Sequence, residues 1–226
     1  MRHRPESDDL AKKSAVILIS GRGSNMQALL EADLPCCRIA AVISNKADAS
    51  GLGIARRHGI ATQVVAHRDY SDRESFDGAL AAAIDRYRPD LVVLAGFMRI
   101  LTAGFVARYR GRLINIHPSL LPAYEGLNTH ARALQDGVKI HGCTVHFVTP
   151  DLDHGPVIIQ AAVPVLMDDT AATLAARVLR EEHRIYRQAV CLFCCGHLSL
   201  GAGGKVLLNR VEQPGVSLIS PGVEYV

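Results

Sequence analysis

The sequence has little charge and no marked excess of either sign: 21% of its 226 residues are charged and the formal net charge is +3. That balance is too weak to argue for the basic face that grips a phosphate backbone, so no nucleic-acid partner is expected. Long hydrophobic runs are missing too. The longest candidate, Pro156–Met167, is interrupted by Gln160 and Pro164 and falls short of the ~20 apolar residues that span a bilayer. No membrane partner is expected. The opening stretch, MRHRPESDDLAKKS, lacks the apolar core of a signal peptide. Cysteine is sparse, and Cys36, Cys37, Cys143, Cys191, Cys194 and Cys195 are not spaced as a disulfide framework, which points to a reducing, cytoplasmic setting. No repeat, compositional break or linker divides the chain. With 49% hydrophobic residues it can bury one sizeable core.

What is present is an alternation of short β-branched runs with helical segments. Strands are expected at Ala15–Ile19, Ile39–Ile43, Thr62–Val65, Leu91–Ala95 and Leu113–Ile116, and helices near Ser24–Glu31, Gly51–His58, Glu74–Tyr87 and Gly104–Tyr109. Continuously apolar strands are buried on both faces, so the fold class is α/β with a mostly parallel central sheet. Cys143–Val148 and Val157–Val163, joined by a turn-rich loop, read as an antiparallel strand pair at one side of the sheet. Thr170–Gln188 reads as a long final helix. The expected organisation is a disordered leader at 1–13, one catalytic domain at 14–196, and a short hairpin with a loose tail at 197–226.

Three segments carry chemistry. Ser20-Gly21-Arg22-Gly23-Ser24-Asn25 lies between the first strand and the first helix, where glycines admit a ligand and a helix N-terminus favours an anion. A dinucleotide fingerprint fails, because Met26 stands at the third glycine position and Ser44-Asn45-Lys46 follow the second strand instead of an acidic residue. No Gly-Lys-Ser/Thr completes a P-loop. A tight turn capped by Ser24 or Asn25 is the plain alternative; two glycines with two capping residues favour a phosphate site. Asn115-Ile116-His117-Pro118-Ser119-Leu120-Leu121-Pro122 leaves the end of a buried strand, where α/β sheets hold ligands. Asn115 and His117 share one side of an extended chain, and Pro118 fixes the approach of the imidazole. An amide beside an imidazole suits an oxygen that turns negative during acyl transfer. Asp151-Leu152-Asp153-His154-Gly155-Pro156 would be an ordinary turn alone, but an aspartate near a histidine favours the charged ring and can pass protons. A serine hydrolase would need Ser24 or Ser119 in Gly-x-Ser-x-Gly, which neither occupies. The spacings of His117, His141, His146 and Asp153, and of the Cys191–His197 cluster, match no common zinc pattern, so no metal is expected. A non-catalytic sugar-phosphate binder would keep the glycine loop without needing Asn115, His117 and Asp153 together.

These segments, with Ala95-Gly96-Phe97-Met98-Arg99-Ile100-Leu101 and His141-Gly142-Cys143-Thr144-Val145-His146-Phe147-Val148, closely resemble the 10-formyltetrahydrofolate-dependent phosphoribosylglycinamide formyltransferases of purine biosynthesis. The resemblance runs from about Val16 to about Cys191. It implies a Rossmann-like formyltransferase fold and formyl transfer to the amine of 5-phosphoribosylglycinamide. By the same resemblance, Gly23, Ser24 and Asn25 hold the phosphate and Glu182 the glycinamide part. Arg73, Met98, Arg99, Ile100, Leu101 and Asn115 meet the folate. Asn115, His117 and Asp153 form the catalytic group, and Leu121–Pro122 is cis. The loop Ala123–Asn128 resembles a mobile folate lid, but lacks the basic residue that relatives often carry there. Methionyl-tRNA formyltransferase and formyltetrahydrofolate deformylase carry additional domains for which this length leaves no room. The expected partners are small-molecule substrates and, at most, a second copy in a homodimer. 10-Formyltetrahydrofolate enters as co-substrate.

Overall fold

A computed structural model describes residues 12–209 and Ser220. Its elements run β1 (Lys13–Ile19), α1 (Ser24–Glu31), β2 (Cys37–Ser44), α2 (Gly51–Arg57), β3 (Ala61–Val64), α3 (Arg73–Asp85), β4 (Leu91–Leu94), α4 (Ala103–Arg108), β5 (Leu113–His117), α5 (Thr129–Gln135), β6 (Ile140–Phe147), β7 (Val157–Pro164), α6 (Ala171–Cys194), β8 (Leu198–Leu200) and β9 (Val206–Leu208). Seven strands form one sheet in the order β3-β2-β1-β4-β5-β6-β7, and β8 with β9 makes a separate antiparallel hairpin. β1 to β5 pair in parallel; β6 pairs antiparallel with both β5 and β7, so it alone runs against the rest.

The apolar run of β1 splits by the period of two of an extended chain. Ala15, Ile17 and Ile19 enter a core formed with α1, α2 and α6, through Met26, Leu29, Leu52, Leu174 and Val178. Val16 and Leu18 enter the opposite core, built on α3 and α4 through Phe76, Leu80, Ile84, Phe105 and Tyr109. All five β1 residues are fully buried, and truncating any Ile or Leu among them to Ala should cost roughly 2–5 kcal/mol.

Several expectations are corrected. β1 begins at Lys13, inside the expected leader, whose residues 1–11 lie outside the described residues, as do 210–219 and 221–226 of the expected tail. The last helix runs six residues past Gln188, to Cys194. Its amphipathic stripe continues through Ala189, Val190, Leu192 and Cys194, all buried. α5 is absent from the expected helices, since Thr129–Gln135 has only a short helical period after a glycine-containing loop. The cysteines are not all free either: Cys36 and Cys195 form a disulfide. A sequence separation of 159 residues hides the pair, and the fold brings the start of β2 against the end of α6. Among the described residues, no helix is long and apolar enough to cross a membrane.

Candidate active site

Because β1 lies beside β4 while their connections leave to opposite faces, a crevice opens beyond the carboxyl ends of β1, β4 and β5. A cavity of about 1100 Å³ fills it, bounded by Arg22, Gly96, Met98, Asn115, His117 and Asp153 among others. The crevice walls are tied together at Ser20, whose hydroxyl donates to Asn45 Oδ1 at 2.6 Å and accepts from the Met98 N–H at 2.8 Å. Ser20 N–H also donates to the Gly96 carbonyl, and Gly96 takes a left-handed turn at φ 74°. The motifs around Ser20, Asn45 and Gly96 therefore form one polar junction.

His117 ends β5 and is 5% exposed. Its Nε2 lies 2.9 Å from the Tyr124 carbonyl oxygen and its Nδ1 lies 3.3 Å from Asp153 Oδ2. Both neighbours are acceptors, an arrangement that only the doubly protonated, charged ring satisfies on both sides. Asp153 adopts φ 54°, and its Oδ2 accepts from the Gly126 N–H at 2.9 Å. The loop at 123–128 is thus laid across the loop at 151–155.

Asn115 sits opposite His146 in the β5–β6 register. Its Nδ2 is 3.2 Å from His146 Nε2, while His146 Nδ1 lies 2.9 Å from the Phe147 carbonyl oxygen. Nδ1 therefore carries the proton and Nε2 accepts from the amide. Burial, opposed by the hydrogen bond to Phe147 and the charge of Asp153, lowers the His146 pKa and keeps the ring neutral. One Asn115 N–H is held by His146, and among the described residues the amide nitrogen has no second partner. Sequence reading misses this orienting role; it needs the antiparallel register between two distant strands.

The turn after His117 is fixed from below. Thr144 Oγ1 donates to the Ser119 carbonyl and accepts from the Leu121 N–H, while Gln160 Nε2 donates to the Leu121 carbonyl. Leu121–Pro122 is cis. Ser119 is fully buried and its hydroxyl donates to the Ala123 carbonyl, which removes it as a nucleophile.

At the other end of the crevice, Gly23 caps α1 at φ 74°, and no side chain accepts from the first turn. Neither Ser24 nor Asn25 is the cap of the plain alternative. Asn25 instead donates to Glu182 Oε2 at 2.7 Å, and its own Oδ1 is buried without a partner among the described residues. Burial raises the Glu182 pKa, partly opposed by this hydrogen bond. Met98 and Ile100 are 66% and 54% exposed at the cavity rim, and Arg99 Nε is buried without a partner among the described residues. Arg73 opens α3, and is not among the residues lining the cavity. His141 faces His130 at 3.2 Å, and burial, with the neighbouring His130 adding to it, lowers its pKa to about 4.

A pattern described as formyl transferase matches residues 13–190. The chain belongs to the formyl transferase family. It is 51% identical over 192 residues to the phosphoribosylglycinamide formyltransferase of Escherichia coli (strain K12), covering 82% of this chain and 89% of that protein. It is 47% identical to the trifunctional purine biosynthetic protein adenosine-3 of Homo sapiens over 89% of this chain, but only 20% of that longer protein. Among solved structures, the phosphoribosylglycinamide formyltransferase from Coxiella burnetii is 48% identical with a TM-score of 0.84, covering 87% of this chain and 93% of its own. Glycinamide ribonucleotide transformylase 1 from Symbiobacterium toebii gives 45% and 0.85, covering 90% and 99%. This formyl transferase thus has the expected α/β, Rossmann-like fold, with its polar groups converging in the crevice of that fold.

Proposed function

We propose that the chain transfers a formyl group from 10-formyltetrahydrofolate to the amine of 5-phosphoribosylglycinamide. The observation that carries this reading is the arrangement of His117 between Asp153 and an oxygen acceptor, with the oriented Asn115 amide beside it. In that reading the Tyr124 carbonyl stands where the formyl oxygen would be held, and the loop at 123–128 withdraws when substrate enters. The acceptor amine attacks the formyl carbon, and the carbonyl electrons pass to oxygen. Asn115 and charged His117 donate to that oxyanion; one such donor is worth roughly 10²–10³ in kcat. Asp153 keeps His117 charged and helps move the proton from the attacking amine to the leaving N10 as the carbon–N10 bond breaks.

Gly23, Ser24 and Asn25 would hold the acceptor's phosphate at the unspent first turn of α1. Glu182, reached by Asn25, would bind the glycinamide part. Met98, Arg99, Ile100, Leu101 and Asn115 would meet the folate, whose flat ring suits an apolar rim backed by Arg99 Nε, buried without a partner among the described residues; Arg73 belongs to that set by resemblance alone. The scheme uses no metal. The substrate assignment is tested by turnover with acceptor that has or lacks its phosphate. A much higher kcat/KM for the phosphorylated form is expected, and equal values would overturn it.

A further inference from the structure

The end of α6 meets the start of β2 at a junction that the proposed transfer does not use, where consecutive cysteines on one element face consecutive cysteines on the other. Cys36 and Cys195 are disulfide-bonded, with their Cα atoms 5.3 Å apart. Cys37 and Cys194, the next residues inward, are each 5% exposed and remain thiols. Their thiols are close neighbours. The residues of the outer pair are only half-buried, whereas those of the inner pair are buried. Lys13 reinforces the same junction: its N–H donates to the Cys36 carbonyl, and its ammonium donates to the Phe193 carbonyl at 3.3 Å and lies 5.1 Å from the Phe193 ring centre. The bond closes a loop of 159 residues that runs from β2 to α6, and cross-links that close long loops remove the most freedom from the unfolded chain.

We propose that Cys36 and Cys195 form a reversible thiol–disulfide exchange site, a covalent clasp that a low-molecular-weight thiol of the glutathione class opens and its disulfide closes. In opening, the incoming thiolate attacks one sulfur of the pair. The sulfur–sulfur bond breaks, a mixed disulfide forms, and the other cysteine leaves as a thiolate that takes up a proton. A second thiolate attacks the mixed disulfide, releasing the small disulfide and the second cysteine thiolate. Two small thiols become one small disulfide while the protein gains two thiols; closing is the reverse. Burial shields the inner thiols from the same reagent, so Cys37 and Cys194 stay reduced in either state. The neighbouring Cys194 thiol lowers the Cys37 pKa, with Lys12 and Arg38 assisting against burial and Asp90. Opening releases the last turns of α6, the helix that carries Glu182.

The experiment uses the full chain, equilibrated in buffers of graded reduced-to-oxidised glutathione ratio, then alkylated, mapped by peptide mass spectrometry and melted in parallel. The Cys36–Cys195 cross-link should appear and disappear reversibly with the ratio. Cys37 and Cys194 should label only after unfolding. The melting temperature should fall by roughly 5–15 °C on opening. Cys36→Ser and Cys195→Ser should each show the opened melting temperature at every ratio, while Cys191→Ser keeps the response. Wild-type protein alkylated in its reduced, folded state supplies the opened form if a serine variant does not fold. Absence of the cross-link at every ratio, a cross-link that survives the most reducing buffer in folded protein, or a melting temperature indifferent to it would each overturn the proposal.

Discussion

Replacing Asp153 by Asn keeps the size of the side chain and removes its charge. In the native arrangement the carboxylate lies 3.3 Å from His117 Nδ1, and both side chains are 7% exposed. Unit charges at that separation attract by about 5 kcal/mol at an effective dielectric constant of ~20. Desolvation of the buried pair offsets part of this. A loss of about 3–5 kcal/mol of transition-state stabilisation corresponds to roughly 10²–10⁴ in kcat. The oxygen that accepts from the Gly126 N–H is the same Oδ2 that faces His117 Nδ1, so an amide oxygen in its place would keep both contacts without the charge that favours a protonated ring. Steady-state kinetics across a pH series should therefore show kcat falling with little change in substrate KM. His117→Asn should cost a similar amount, and the double variant little more, because the two residues act as one unit. Asp151→Asn, an exposed carboxylate in the same loop, serves as control and should be nearly silent. Wild-type turnover in Asp153→Asn, with the loss appearing in Asp151→Asn instead, would refute the reasoning.

Gly23→Val should raise KM for the phosphorylated acceptor strongly and cost roughly 1–2 kcal/mol of stability, since φ is 74° and an added Cβ would lie 3.1 Å from Met26 Cε and 3.3 Å from Gly51 Cα; saturation kinetics and thermal melts check both. Glu182 has a folded pKa raised by burial. Its favourable contribution is thus fully present below its ordinary pKa of ~4.3 and is lost as pH rises through the folded value. Glu182→Gln should accordingly melt above wild type near pH 7–8 and lose that advantage in acid, while weakening acceptor binding; parallel melting curves would contradict this. Gly155→Ala would drive a Cβ into the Phe147 carbonyl oxygen, so a loss of roughly 1–3 kcal/mol or more is expected in denaturant titration.

The parallel strands and the first four helices are legible because β1, β2, β4 and β5 carry short apolar runs, and the edge strand β3 a short β-branched one, separated by helical periods. α1 is readable at its observed bounds, since Gly23 and the apolar spacing of Met26 and Leu29 mark them. α5 is not legible, being a two-turn helix whose buried residues are only Thr129 and Ala133. Asn115, His117 and Asp153 are legible as residue types at strand ends and in a loop, helped by family resemblance. Their supports are not. His146, Thr144 and Gln160 reach the site through cross-strand neighbours, a property of register between β5, β6 and β7 that local pattern does not encode. The Tyr124 carbonyl and Gly126 N–H are backbone groups, invisible in side-chain chemistry. The Cys36–Cys195 bond joins positions 159 residues apart that only the packing of α6 against β2 brings together.

The central claim is amine-dependent formyl transfer, and one measurement addresses it most directly: consumption of 10-formyltetrahydrofolate by the purified chain, with and without glycinamide ribonucleotide, with the formylated product quantified. The account predicts rapid consumption only when the amine is present, with one formylated product for each donor consumed. Equal consumption without the amine would make the chain a hydrolase of the donor. No consumption in either case would make it a binder. Either result would contradict the account.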